Sequence, residues 1–223
     1  MSILGKNVEQ YKELHSKSEN YGSSSIAFIE EIDLMIKFLK PKSILDYGCG
    51  KGAIIEELKN RYPDIEIYGY DPAIPGRDII PVTKVDMIIN TDVLEHIPED
   101  ELPETIGIIS SISKNVYFNL HHAEACQILP NGENAHCTIK PPHWYHELFK
   151  KYFDRVVPLE GIEPWLSVVV TFNIDDKTEK EYYRIVNKKK NIRKIYLIVK
   201  PVYDIIRPIV HPIVKIIKEL YIK

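Results

Sequence analysis

Ser43-Ile44-Leu45-Asp46-Tyr47-Gly48-Cys49-Gly50-Lys51-Gly52-Ala53-Ile54-Ile55 is the segment from which the remainder of this 223-residue chain is read. A short apolar run ends in an acid, glycines follow at every second position, and Ile54-Ile55-Glu56-Glu57-Leu58 takes up a helical pattern. That order predicts a buried parallel strand, a tight turn and a helix N-terminus, where an open α/β sheet binds its ligand. Glycine suits such a turn because it reaches positive φ and lets the backbone approach a bound molecule. The glycine spacing departs from G-x-G-x-x-G, and no Lys-Ser or Lys-Thr follows, which excludes a P-loop.

Two further signals lie downstream. Ile65-Glu66-Ile67-Tyr68-Gly69-Tyr70-Asp71 ends a second strand on an acid, 23 residues after Gly48. That is near the spacing at which a carboxylate accepts hydrogen bonds from a ribose diol. Val85-Asp86-Met87-Ile88-Ile89-Asn90-Thr91-Asp92-Val93-Leu94-Glu95-His96-Ile97 then gives another strand with a polar exit. In this order the motifs resemble the class I S-adenosylmethionine-dependent methyltransferases: a D-x-G-x-G-x-G turn, an acid after the second strand, and a D-V-L-E-H-like run after the fourth. The resemblance spans about residues 40 to 170.

It implies an α/β, Rossmann-like, doubly wound sheet of seven mostly parallel strands, and S-adenosylmethionine as cofactor. On that resemblance Gly48, Gly50 and Gly52 flank the methionine and ribose part of the donor. Asp46 holds the turn or receives the amino group, Asp71 takes the ribose diol, and Asn90 and Thr91 face the methionine moiety. Asp92, Leu94 and His96 lie just beyond, where His96 either contacts a ligand or, as expected first, packs on the sheet at a helix start.

Composition fits a globular enzyme: 44% of residues are hydrophobic and 27% charged, so disorder is not the default. Three cysteines without disulfide-like spacing suit a reducing cytoplasm, and no N-terminal charged-then-apolar leader is present. The net charge of -3 is unevenly spread. Residues 177–223 hold 13 Lys and Arg against 4 Asp and Glu, which leaves 16 against 28 in the other 176 residues. An acidic body argues against nucleic-acid binding, and any attraction to anionic surfaces belongs to the tail.

The chain therefore divides into an N-terminal helical cap (1–40), a donor-binding core (41–175) and a basic, apolar, helical C-terminal extension (176–223). In the cap, Tyr11 or Tyr21 is placed either over the methionine end of the donor or against a helix edge. Only 14 residues separate Asp71 from Asp86, and they include Pro72, Pro75 and Pro81. The third β-α unit must be abbreviated, reduced to a strand at Asp78-Ile79-Ile80 plus a turn. Arg155 to Pro158 and Ser167 to Phe172 are read as an antiparallel hairpin closing the sheet. The tail from Ile192 to Ile222 is rich in isoleucine and valine and broken by prolines. It either lies on a membrane surface or packs on its own domain or a second subunit.

The second informative block is His121 to Tyr145. Five of the eight histidines lie between 121 and 146, and His121 and His122 leave the carboxyl end of the fifth strand, where substrate binds in this architecture. An oxygen acceptor must lose its proton, and histidine titrates near neutral pH. Asn134-Ala135-His136-Cys137-Thr138 followed by Pro141-Pro142-His143-Trp144 resembles a subgroup of bacterial and phage methyltransferases in which this segment is a substrate-side loop. His136 and then His121 are the candidates for base or acceptor-binding residue, with loop-buttressing histidines as the alternative. His122, Asn134 and Trp144 are candidate substrate contacts. Metal-like spacings such as C-x-x-C are absent, so no metal is assigned, although His121, His122, Glu124, Cys126, His136 and Cys137 all carry possible ligand atoms.

The function expected is methylation of a hydroxyl on a surface-glycan precursor or related small molecule. The alternatives are a small-molecule methyltransferase of secondary metabolism or quinone synthesis, and a non-catalytic nucleotide-binding module.

Overall fold

The computed structural model describes residues 7–17, 24–159, 166–173, 177 and 179–186. The chain forms two compact units, residues 1–173 and 174–223. In the second, residues 177 and 179–186 are helical. The rest of the extension assigned to 176–223, including Ile192 to Ile222, lies outside the described residues, as do Tyr21 and Trp165.

The first unit is a six-stranded sheet with helices. β1 (Ser43–Tyr47), β2 (Glu66–Tyr70), β3 (Met87–Thr91), β4 (Val116–His121), β5 (Val156–Leu159) and β6 (Leu166–Thr171) stand in the order β2-β1-β3-β4-β6-β5. β1, β2, β3 and β4 pair in parallel, and β6 runs antiparallel to both β4 and β5. β2 lies on one side of β1 and β3 on the other, so the strand order reverses between β1 and β3. A reversal of this kind opens a crevice at the strands' carboxyl ends.

The strands read as near-continuous apolar runs because both faces are covered; Ile44, Leu45, Ile88, Ile89 and Phe118 have no exposed surface. α2 (Ile29–Leu39) starts with Glu30 and Glu31 and ends at Lys40, whose left-handed φ of 51° stops the helix just before Pro41. α3 (Ala53–Arg61) follows the glycine turn, and α4 (Leu102–Ile112) buries Leu102, Ile106 and Ile109. α5 (Pro142–Phe149) opens on a proline, whose missing N–H costs nothing in a first turn. Its Phe149 stacks on Phe118 of β4 with ring centroids 4.3 Å apart, and Tyr145 donates to the Thr138 carbonyl at 2.9 Å. Phe149→Ala is expected to cost about 3–5 kcal/mol of stability by leaving a cavity between helix and sheet. Denaturant unfolding of the full chain measures that loss.

The expected seventh strand is a correction: the described residues make six. Residues 72–86 turn back instead of extending. Asp71 N–H donates to the Arg77 carbonyl at 2.9 Å, Ile74 N–H to Asp71 at 3.2 Å and Arg77 N–H to Ile74 at 3.0 Å. Three prolines in this short segment lack the N–H that a ladder needs, and Gly76 turns at φ 82°. Asp78-Ile79-Ile80 therefore forms no strand. Asp86 lies at the opposite end of the sheet from the crevice, where it accepts from Lys42 N–H at 2.7 Å and Ser43 N–H at 3.1 Å.

Candidate functional site

The glycine turn is built by packing as much as by backbone freedom. Gly48 has φ 87°, and a Cβ there would run into the Val93 side chain. The turn after β3 thus lies directly against the turn after β1. Gly52, at φ 85°, is covered by the Arg77 guanidinium. Arg77 donates to the Gly50 carbonyl at 3.1 Å, so the segment replacing the third β-α unit clamps the glycine turn. Asp71 completes the clamp, accepting from Gly50 N–H at 2.8 Å and Ala73 N–H at 2.9 Å. A carboxylate has about four acceptor positions, so both oxygens keep capacity for a diol.

Inside this frame, buried polar atoms collect without hydrogen-bond partners among the described residues: both carboxylate oxygens of Asp46, Asn90 Oδ1, Thr91 Oγ1 and the whole side-chain amide of Asn119. Asn90 Nδ2 is fixed by the Tyr47 carbonyl at 2.9 Å. Such atoms are costly unless something polar meets them. Their grouping at the carboxyl ends of β1, β3 and β4 fits a polar ligand whose own donors and acceptors complete the set. Burial, reinforced by the negative charge of Asp71, pushes the Asp46 carboxyl up to about 7 against the pull of Arg77. A cationic amino group of the kind the donor carries would hold it ionised. Asn119 was not among the residues picked from the sequence, although one asparagine inside an otherwise apolar strand was a visible signal.

Beside the crevice, three imidazoles surround one carboxylate. The Nε2 atoms of His121, His136 and His96 lie 3.7, 3.9 and 4.0 Å from Asp92 Oδ1. Asp92 itself sits in left-handed backbone at φ 58°, a conformation aspartate tolerates better than most residues and one often kept for functional sites. The elements come from far apart in sequence: Asp92 and His96 from the turn after β3, His121 from the end of β4, His136 from the long loop. His136 Nδ1 meets the Ala123 carbonyl at 2.6 Å and His96 Nδ1 meets the Ala135 carbonyl at 2.8 Å. A carbonyl can only accept, so in both rings Nδ1 carries a proton, and His96, kept neutral by burial, presents its lone pair at Nε2. Burial lowers the His96 pKa to about 4 and also lowers that of His121, despite the opposing pull of Asp92. Glu95 is fully buried, accepts from His121 N–H at 2.8 Å, and has no hydrogen-bond partner at its second oxygen.

The loop holding His136 is a folded unit. Asn134 accepts from Ala125 N–H and His136 N–H and donates to the Ala125 carbonyl, each at 2.9 Å. It thereby sets the direction in which His136 leaves the chain. His122 faces elsewhere: its ring nitrogens meet the Lys140 carbonyl at 2.7 Å and Ser167 Oγ at 2.6 Å. Trp144 opens α5 edge-on to Tyr145, with the Lys140 ammonium 5.4 Å from its ring centroid. Tyr11, expected over the donor or a helix edge, lies edge-on to His96 with centroids 5.4 Å apart. Its hydroxyl is 2.7 Å from the Ala135 carbonyl and 3.1 Å from that of His96. Glu95 and Arg77 are site residues that the sequence reading did not single out, and Asp92 was named there without a role.

A family model described as a methyltransferase domain matches residues 26–154, more than half of the chain. The chain belongs to this methyltransferase-domain family. The same fold occurs in an O-methyltransferase family protein from Burkholderia thailandensis, with a TM-score of 0.50 and 13% identity over 66% of this chain and 55% of that one. Human N-acetylserotonin methyltransferase, solved in complex with SAM, gives a TM-score of 0.51 and 13% identity over 75% and 57%. The methyltransferase thus spans little more than half the length of either protein. Comparison with curated proteins gives no match. No helix of the methyltransferase among the described residues is long and apolar enough to cross a membrane.

Proposed function

We propose that this methyltransferase moves the methyl group of S-adenosylmethionine to a hydroxyl oxygen held over Asp92, His121 and His136. The observation that carries the reading is the set of imidazoles around Asp92, placed beside the glycine turn by the Val93–Gly48 contact. Transfer is an in-line displacement: the C–S bond of the sulfonium breaks as the C–O bond forms, and neutral S-adenosylhomocysteine leaves. The protein's contribution is chiefly alignment. A hydroxyl is a weak nucleophile until its proton is taken up or its oxygen is polarised, and the cluster around Asp92 is where that occurs.

Within this reading Asp46 receives the donor's amino group, Asp71 the ribose, and Asn90, Thr91 and Asn119 the remaining polar edge. The acceptor is a surface-glycan precursor or a comparably polyhydroxylated small molecule. The polar, histidine-lined loop favours such an acceptor, and the basic, apolar tail suits lipid-linked intermediates at a membrane surface. Labelled methyl donor incubated with nucleotide-sugar and lipid-linked glycan fractions should deposit label as an acid-stable methyl ether. Label appearing only on nitrogen, or nowhere, would overturn the assignment.

Asp46 also sets a pH dependence. Its raised pKa means that the carboxyl is protonated below about 7 and ionised above. If only the ionised form binds the donor's ammonium, affinity should be level above that point. It should weaken by roughly tenfold per pH unit below it. Calorimetric titration from pH 5.5 to 8.5 reads this directly, and Asp46→Asn should flatten the profile while weakening binding throughout.

A further inference from the structure

The geometry points to a divalent transition-metal site formed by Asp92, His96 and His136, with His121 and Glu95 also close to Asp92. It rests on the preceding reading only in placing the acceptor oxygen at this cluster. The Nε2–Oδ1 separations of 3.7 to 4.0 Å are too long for hydrogen bonds, so these groups do not satisfy one another. They are close to the ~3.4 Å edge of a tetrahedron whose centre lies about 2.1 Å from each ligand. Ligand atoms of Asp92, His96 and His136 fall within 4.8 Å of one another, as do those of Asp92, Glu95 and His121. The two sets share Asp92.

Two independent features favour an ion over a plain charge cluster. His96 and His136 each give Nδ1–H to a backbone carbonyl, the outer contact that fixes the tautomer and aims Nε2 in metal-bound histidines. Glu95, with no exposed surface, adds a second carboxyl group close to that of Asp92. A buried carboxyl group beside a partly exposed one is relieved by a cation. Imidazole-rich ligation selects Zn²⁺ over Mg²⁺. A hydroxyl bound to such an ion loses its proton more readily and is held at a fixed point for attack on the methyl group.

The test uses the full chain stripped with a chelator and titrated with Zn²⁺, with Mn²⁺ and Mg²⁺ in parallel, while donor affinity is measured on the same samples. One Zn²⁺ per chain should bind, Mg²⁺ should not compete, and His136→Ala should weaken Zn²⁺ at least tenfold. Binding should survive in the Cys126→Ser, Cys137→Ser double variant. If His136→Ala does not fold, the Co²⁺ absorption spectrum of the natural chain decides: d–d bands without thiolate charge transfer support the site. No bound ion, an ion lost with the two cysteines, or binding unaffected by both His136→Ala and Asp92→Asn would overturn it. Donor binding retained without metal uptake would sink the ion alone. Absence of donor binding would instead sink the methyltransferase assignment of the crevice.

Discussion

Asp71→Ala should weaken S-adenosylmethionine binding by about 100-fold or more. The carboxylate holds Gly50 N–H and Ala73 N–H, at 2.8 and 2.9 Å, and its remaining lone pairs face the proposed ribose position. Hydrogen bonds to a charged group are worth about 1.5–3 kcal/mol each. Losing the ribose contact and relaxing the glycine turn together therefore reach roughly 3 kcal/mol, or two powers of ten. Asp71→Asn keeps one acceptor oxygen and should fall between, at about tenfold. Calorimetry with S-adenosylhomocysteine measures both, and a melting curve shows whether the fold persists. Unchanged affinity in the alanine variant would remove the crevice from consideration as the donor site.

The second large effect is kinetic. His136→Ala should lower the rate of methyl transfer by about 10²- to 10⁴-fold, the range expected when a proton-handling or oxygen-positioning group is lost. Donor affinity should stay within about threefold of the natural chain, because His136 contacts Ala123, Asn134 and Asp92 and not the glycine turn. Single-turnover assays on pre-bound donor separate the two quantities. An equal loss in donor binding and rate would mean that His136 serves the fold of the loop alone.

The proposed donor side could be read in the sequence because its residues are local. Asp46, the three glycines and α3 are contiguous, and Asp71 ends the next strand, so one strand-turn-helix pattern and one spacing placed them. The shortened third unit was legible as a deficit of residues. Its path was not: a strand at Asp78-Ile79-Ile80 was expected, whereas the prolines and Gly76 turn the chain back so that Arg77 reaches the Gly50 carbonyl. A side-chain-to-backbone clamp of that type leaves no periodic trace.

The acceptor side was legible only as a list of histidines. His121 and His136 were picked out, but their common partner was not, because Asp92, His96, His121 and His136 meet only once β3 and β4 are paired side by side. Spacing rules for metal ligands assume neighbours on one element, and this cluster draws on three. His122 shows the converse. Adjacent to His121 in sequence, it turns to the other side of the chain, where Lys140 and Ser167 occupy its ring nitrogens.

The N-terminal helix α1 (Val8–Lys17) has a further consequence for anyone trimming the chain. Tyr11 reaches the Ala135 carbonyl and Gln10 accepts from Asn131 N–H at 3.0 Å, so two consecutive side chains buckle this helix to the segment that carries His136. A minimal fragment cut to the boundaries of the matched domain, 26–154, would keep the glycine turn yet forfeit that buckle together with β5 and β6. Such a fragment would be a receptor for the donor with a slack acceptor wall, and its poor turnover would say nothing about the chemistry of the intact protein.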